Sequence, residues 1–143
     1  MTDASYLPSP TRWVREQVER IEAHGDASAV TLAGRPIVLL LMRGARTGAL
    51  RKVPLMRIEH EGVYAVVGSL GGSPKDPLWV GNLRANPDLE VQDGTVTAPF
   101  RARELQGAER HLWWERACEA FPDYPAYAAK TERVFPIFVL EPR

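Results

Sequence analysis

Residues 37–69 read IVLLLMRGARTGALRKVPLMRIEHEGVYAVVGS, and the reading of this stretch decides the fold. Ile37-Val38-Leu39-Leu40-Leu41-Met42 is an unbroken apolar run, which predicts a strand over 37–43 buried on both faces. Residues 53–59 and 63–69 flank His60-Glu61-Gly62 and predict a hairpin. The three segments are expected as adjacent antiparallel strands of one barrel. Further along, 89–92 and 95–103 flank Asp93-Gly94, a strong tight-turn signal. Residues 134–140, VFPIFVL, predict a last strand, with Pro136 inside it arguing for an edge position or a bulge. Upstream, Val14, Val18 and Ile21 fall at i, i+4 and i+7, which predicts a helix over 12–24, capped by Thr11 and stopped by Gly25. Further helices are expected near 77–85 and 107–120. About six strands linked by hairpins, without regular βαβ alternation, point to an α+β fold: an antiparallel barrel with helices packed outside.

The 143 residues suit one domain spanning 1–143, with 1–10 as a loose arm and 11–25 as an N-terminal helix. Eighteen basic and eighteen acidic side chains cancel. That balance argues against a general nucleic-acid or membrane-surface binder, so anion binding has to come from local clustering. Cys118 is the single cysteine, and one cysteine asks for no oxidising compartment. The opening residues lack the apolar core of a signal peptide, and the longest apolar run is far below the ~20 residues of a spanning helix. The expected compartment is the cytoplasm. Trp13, Val14, Val18 and Ile21 beside Arg12, Arg15 and Arg20 permit weak peripheral contact with the inner membrane face, which Glu16, Glu19 and Glu22 oppose.

Three segments can carry chemistry. In GARTGALRK, 44–52, two glycines four apart let backbone N–H groups turn toward an anion. Thr47 adds a hydroxyl, and Arg43, Arg46, Arg51 and Lys52 add charge. The spacing is not that of a Walker A loop, and on the residues alone a solvated hairpin loop explains the segment equally well. In SLGGSPKDPLWVGNL, 69–83, a glycine-rich loop leads into Pro77 at a helix start, where backbone donors again meet anions. Trp79 and Leu83 share one helical face and read as core. Asn82 can donate and accept, or be a plain surface amide. In FPDYPAY, 121–127, Phe121, Tyr124 and Tyr127 are spaced by three. On a helix they form one aromatic wall, able to stack on a planar ring or to anchor the chain's end in the core. His24, His60 and His111 lack a second ligand at metal spacing, so no metal site is expected.

Taken in order, Gly44–Leu55, Ser69–Pro87 and Phe121–Tyr127, with Pro136 and Glu141-Pro142, resemble the deazaflavin-dependent nitroreductase family over some three-quarters of the chain. The resemblance implies a split β-barrel and coenzyme F420, a deazaflavin with a planar tricyclic ring, a phosphate and a polyglutamate tail. It implies hydride transfer to a small conjugated molecule, with a quinone or enone favoured over a nitro compound. By the same resemblance Arg46, Thr47, Gly48 and Arg51 match the phosphate and tail loop. Val53, Pro54 and Leu55 match the strand under the ring. Val67, Gly68, Ser69 and Leu70 match the loop meeting ring and tail. Leu78, Trp79, Val80, Gly81 and Asn82 match the helix bordering the cofactor. Tyr124 and Tyr127 match tyrosines of the substrate side, with Tyr124 the candidate catalytic donor and Met56 and Phe121 beside it. Lys75 is expected near the acidic tail.

Departures from the family pattern are equally specific. Ala45 stands where a basic residue is frequent, Leu70 where nitroreductase members have lysine, Met56 where an aromatic is frequent, and Phe121 where a tyrosine is. Lys52 and Lys75 are candidate replacements for the lost charge. The same barrel used with FMN, and a non-catalytic carrier of a cofactor or lipid, are the alternative readings. Related barrels often dimerise, which allows a homodimer.

Overall fold

The computed structural model describes residues 6–143. Its helices are α1 (Arg12–His24), α2 (Leu78–Ala85), α3 (Gly107–Ala120) and α4 (Tyr124–Ala128). Its strands are β1 (Thr31–Leu32), β2 (Arg35–Arg43), β3 (Leu50–Met56), β4 (Ile58–His60), β5 (Val63–Val67), β6 (Asp88–Asp93), β7 (Val96–Glu104) and β8 (Ile137–Pro142). They form one eight-stranded sheet running β3-β2-β6-β7-β8-β5-β4, with β1 pairing the start of β2. Every strand pair is antiparallel. The expected α+β split barrel with flanking helices forms as a curled antiparallel half-barrel sheet, with eight strands rather than about six because β1 and β4 are short pieces.

The chain closes the curled sheet on itself at one residue. β3 and β4 are the two ends of the strand order, yet only Arg57 separates them in sequence. The Arg57 N–H donates to the Pro36 carbonyl at 3.1 Å. Its guanidinium Nε lies 3.1 and 2.9 Å from the two Asp93 carboxylate oxygens, and the Tyr64 hydroxyl donates to the same carboxylate at 2.6 Å. One ion pair with a phenol thus ties the ends of β3, β5 and β6 together. Burial, then the hydrogen bond to Asp93, pushes the Tyr64 phenol up to about 12. The continuous strand expected over 53–59 is therefore corrected: it breaks at Arg57, and its halves pair with different neighbours.

Period-two side-chain placement explains why both faces of the sheet are apolar. On β2, Val38, Leu40 and Met42 join the core under α2, while Ile37 and Leu39 pack on Val18 and Ile21 of α1. On β8, Phe138 and Leu140 face the first core, and Ile137 and Val139 face α3 and α4. Truncating one such fully buried side chain, Leu140, costs about 2–5 kcal/mol.

Other expectations move. Pro136 precedes β8 rather than lying within it, and β8 is interior, between β7 and β5. The proline occupies a strand entrance, where its missing N–H costs nothing, and its carbonyl accepts from Gly68 at 2.8 Å. The β6–β7 turn is Gly94-Thr95, one residue later than the expected pair. Thr11 holds the N-cap position without a side-chain cap bond, and Trp13 is exposed. Of the expected loose arm, residues 1–5 lie outside the described residues. The rest is anchored, since Tyr6 bridges Leu50 and the Leu7 N–H donates to the Leu50 carbonyl at 2.9 Å.

Candidate functional site

The β2–β3 hairpin loop is braced from within and from α2. Gly44 and Ala49 close it through an N–H···O bond of 2.8 Å, and the Gly48 N–H returns to the Gly44 carbonyl at 3.0 Å. Gly48 takes the left-handed conformation (φ 71°) that this return needs. The Thr47 hydroxyl accepts from Ala49 at 3.2 Å, so it stiffens the loop. From α2, the Asn82 side-chain oxygen accepts the Ala45 N–H at 2.9 Å, and the Asn86 amide donates to the Gly44 carbonyl at 3.4 Å. Asn82 is thereby a loop brace, and Asn86 its counterpart that sequence reasoning missed.

Three arginines without a carboxylate partner are gathered on this hairpin within nine residues of sequence, although Arg15, Arg20, Arg35, Arg110 and Arg116 elsewhere also lack one among the described residues. Arg12, Arg57, Arg84, Arg101, Arg103, Arg133 and Arg143 are all paired with carboxylates. Arg43, Arg46 and Arg51 form no such pair among the described residues; Arg43 and Arg46 are exposed and Arg51 is half-buried. Lys52 points elsewhere, pairing with Glu22 of α1 and lying 4.5 Å from the Tyr6 ring centre. It does not add to the hairpin's free charge. Val53 and Leu55 are half-buried and Pro54 is buried on β3, which borders the sheet.

The second loop follows β5. Val67, Gly68 and Ser69 are buried and Leu70 is exposed. Gly68 is packed so closely that a Cβ there would meet Val80 at 3.0 Å and Pro136 at 3.2 Å. Leu70, Gly71 and Gly72 all have positive φ, at 44°, 64° and 86°. Lys75 is exposed beyond them. On α2, Trp79 and Val80 place their side chains in the core, with the Trp79 ring against Phe138. Leu78 and Gly81 are exposed, as are Arg84 and Ala85 at the helix end, and Pro77 is the N-cap. Arg133 is the main residue that sequence reasoning missed: its guanidinium donates to the carbonyls of Gly68, Ser69 and Ser73 and pairs with Asp76. Its partners are mostly backbone carbonyls, which carry no sequence signal.

The third part is aromatic. Phe121, Tyr124 and Tyr127 do converge, with edge-on ring pairs at 5.0, 5.8 and 6.4 Å, and Trp114 lies 6.0 Å from Tyr124. Met56 belongs to the same cluster. Tyr124 is buried and Tyr127 half-buried. Burial, then the neighbouring Tyr127 and Cys118, holds the Tyr124 phenol well above its usual range. It is a neutral O–H donor at any working pH. The carbonyl of Tyr127 meets the second loop directly at Gly72. The Lys130 side chain packs on the same glycine, and its ammonium lies 5.3 Å from the Tyr127 ring.

A separate groove of about 370 Å³ lies between the start of α3 and residues 133–136. Its Arg84 and Arg133 pair with Glu104 and Asp76, and its Arg110 donates to the Phe135 carbonyl. Among the described residues no group of three His, Cys, Asp or Glu could hold a metal ion, and no helix is long and apolar enough to cross a membrane. The arrangement as a whole fits an anionic ligand: free guanidinium groups and loop N–H donors on one side, a phenol donor among apolar rings on the other.

Comparison with known proteins gives the family. The family model described as F420H(2)-dependent quinone reductase matches residues 13–142. An F420H(2)-dependent quinone reductase of Mycobacterium tuberculosis is 32% identical over 111 residues, covering 76% of this chain and 74% of that protein. Among solved structures, an F420-H2 dependent reductase (FDR-A) is 50% identical, with a TM-score of 0.71 over 78% of this chain and 99% of the other. A structure described as a domain-swapped dimer is 51% identical, with a TM-score of 0.74 over 93% of this chain and 100% of that one.

Proposed function

The chain belongs to the F420H(2)-dependent quinone reductase family and is an oxidoreductase that uses coenzyme F420; from that premise we propose that the basic hairpin, the 68–77 loop and the aromatic cluster form one site that binds the acidic coenzyme and presents a quinone or enone to it. The observation that carries this reading is the clustering of three arginines without carboxylate partners, Arg43, Arg46 and Arg51, on one hairpin whose loop is braced by Asn82 and Thr47, in a chain of zero net charge. When bound, the reduced coenzyme supplies a hydride.

Arg46 and Arg51 would hold its phosphate and acidic tail, with Lys75 completing the field and Arg43 adding to it. Asn82 and Asn86 keep the hairpin loop rigid, so that binding does not have to order it. Val53, Pro54 and Leu55 would support the ring, and Leu78, Gly81 and the 67–70 backbone would border it. Because Trp79 and Val80 are committed to the core, their contribution would come from main-chain atoms. Met56, Phe121 and Tyr127 would wall the substrate and exclude water. The Tyr124 hydroxyl would donate to the substrate oxygen as that oxygen gains negative charge. A raised phenol pKa suits a hydrogen-bond donor better than a strong proton donor.

Tyr124→Phe removes only the hydroxyl. We expect kcat/KM for menadione and for cyclohexenone to fall about 10- to 100-fold, the worth of one hydrogen bond to a developing charge, while coenzyme affinity holds. Equal rates in parent and variant would assign the donor to Tyr127 or to solvent. The reading also includes a cytoplasmic homodimer that does not bind nucleic acid and touches membranes weakly or not at all. The lone Cys118, the charge balance and the dimeric relative support it.

A further inference from the structure

We propose that Arg133 is a positioning residue that turns the 68–73 backbone so that the N–H groups of Ser69, Leu70 and Gly71 face an anionic oxygen group of the coenzyme; this rests on the coenzyme-binding reading above. The guanidinium is largely buried and saturated. Nη1 donates to the Gly68 carbonyl at 2.8 Å, Nη2 to the Ser69 and Ser73 carbonyls at 2.8 and 2.9 Å, and Nε to Ser73 at 3.0 Å. Asp76 pairs with Nη1 at 2.5 Å, and the Phe135 ring lies 4.8 Å beneath.

Three carbonyl dipoles converging on one point repel one another unless a cation sits there. A planar fork of five N–H donors matches them, and a lysine ammonium, with three donors at one atom, does not. With those carbonyls turned inward, the N–H groups of Ser69, Leu70 and Gly71 find no acceptor among the described residues. Ser69 is right-handed helical (φ −80°, ψ −39°) and Leu70 has a φ of +44°. Such a right-to-left succession makes a concave nest of N–H groups that suits an anionic oxygen. Leu70 pays for its left-handed backbone, a strain that persists only where its surroundings enforce it. Arg133 is the enforcing group. It has a large lever, because it reaches across some sixty residues of sequence to fix both ends of the loop. The geometry also answers the absence of a lysine side chain at position 70, since backbone donors take over there.

The test has two arms. In hydrogen exchange of the full chain, with and without oxidised coenzyme F420, the amides of Ser69–Gly71 should exchange freely alone and become protected on binding. In the second arm, Arg133→Lys and Arg133→Ala should each raise the F420 dissociation constant about tenfold or more, while kcat at saturating coenzyme changes less than about twofold. Millimolar ethylguanidinium should restore affinity to Arg133→Ala and leave the parent unchanged. Protection absent at these amides, or parent-like affinity in Arg133→Lys, overturns the role of Arg133. If the Ala variant does not fold, the exchange experiment on the parent still decides. Loss of affinity in Arg46→Ala with unprotected loop amides removes Arg133 alone. No F420 binding by the parent removes the underlying reading as well.

Discussion

Replacing Arg46 and Arg51 together by alanine should raise the dissociation constant for coenzyme F420 roughly 10²- to 10³-fold at low salt. Each charge-assisted hydrogen bond to phosphate or carboxylate contributes about 1.5–3 kcal/mol, and two on one loop do not add fully. The structure supplies the reason for choosing this pair. Neither guanidinium has an internal carboxylate to satisfy, so truncation leaves no unpaired partner behind and fold stability should hold. Because Arg46 is exposed, the parent's advantage should shrink as salt rises. Arg101→Ala is the matched control: it is an exposed arginine paired with Asp88, and its loss should leave coenzyme affinity unchanged. Fluorescence titration of the three proteins at two salt concentrations reads the effect. Parent-like affinity in the double variant would take the hairpin out of the site.

Gly72→Ala should be among the most destabilising small changes available to this chain. A Cβ there would stand 2.6 Å from the Tyr127 carbonyl oxygen, a main-chain atom that cannot rotate aside, so α4 or the loop must move. The left-handed φ of 86° adds its own cost. A left-handed alanine costs about 1–2 kcal/mol and forced repacking about 1–3, which gives a loss of about 2–5 kcal/mol. Gly71→Ala separates the two terms, since it shares the positive φ but has open space around its Cβ. It should lose only the first. Urea midpoints for both variants check this, and equal losses would mean that the loop does not press on α4 as described. The contact matters for function because it joins the loop to the aromatic wall at Tyr127.

How far the sequence discloses this molecule depends on which atoms do the work. Helix α1 matches its expected limits because its apolar spacing and the stop at Gly25 are carried by residue type, and α3 falls on the expected 107–120. The double-sided burial of β2 is legible for the same reason. The break at Arg57 is not, since VPLMRIEH continues an alternating pattern straight through it. The sheet's closure is set by which edge each half finds, a long-range matter. Pro136 misleads because a proline at a strand entrance and one inside a strand look alike in sequence. At the site, the glycines and arginines of 44–51 and the aromatic triplet are legible by residue type, and the structure does bring Met56, Phe121, Tyr124 and Tyr127 together. Arg133, Asn82 and Asn86 act by holding backbone groups, which no residue pattern announces. Trp79 and Val80 show the reverse case: they match a cofactor-lining motif while their side chains serve the core.

The central claim is that one site on this barrel is built for an acidic deazaflavin. It is tested most directly by titrating the purified parent chain with oxidised coenzyme F420 and, separately, with FMN, following cofactor fluorescence. The account predicts saturable F420 binding at micromolar concentration or below, weakened by salt, with FMN bound at least about tenfold more weakly because it lacks the acidic tail that an extra charge contact would hold. FMN binding as tight as F420, or no F420 binding at low salt, would contradict it.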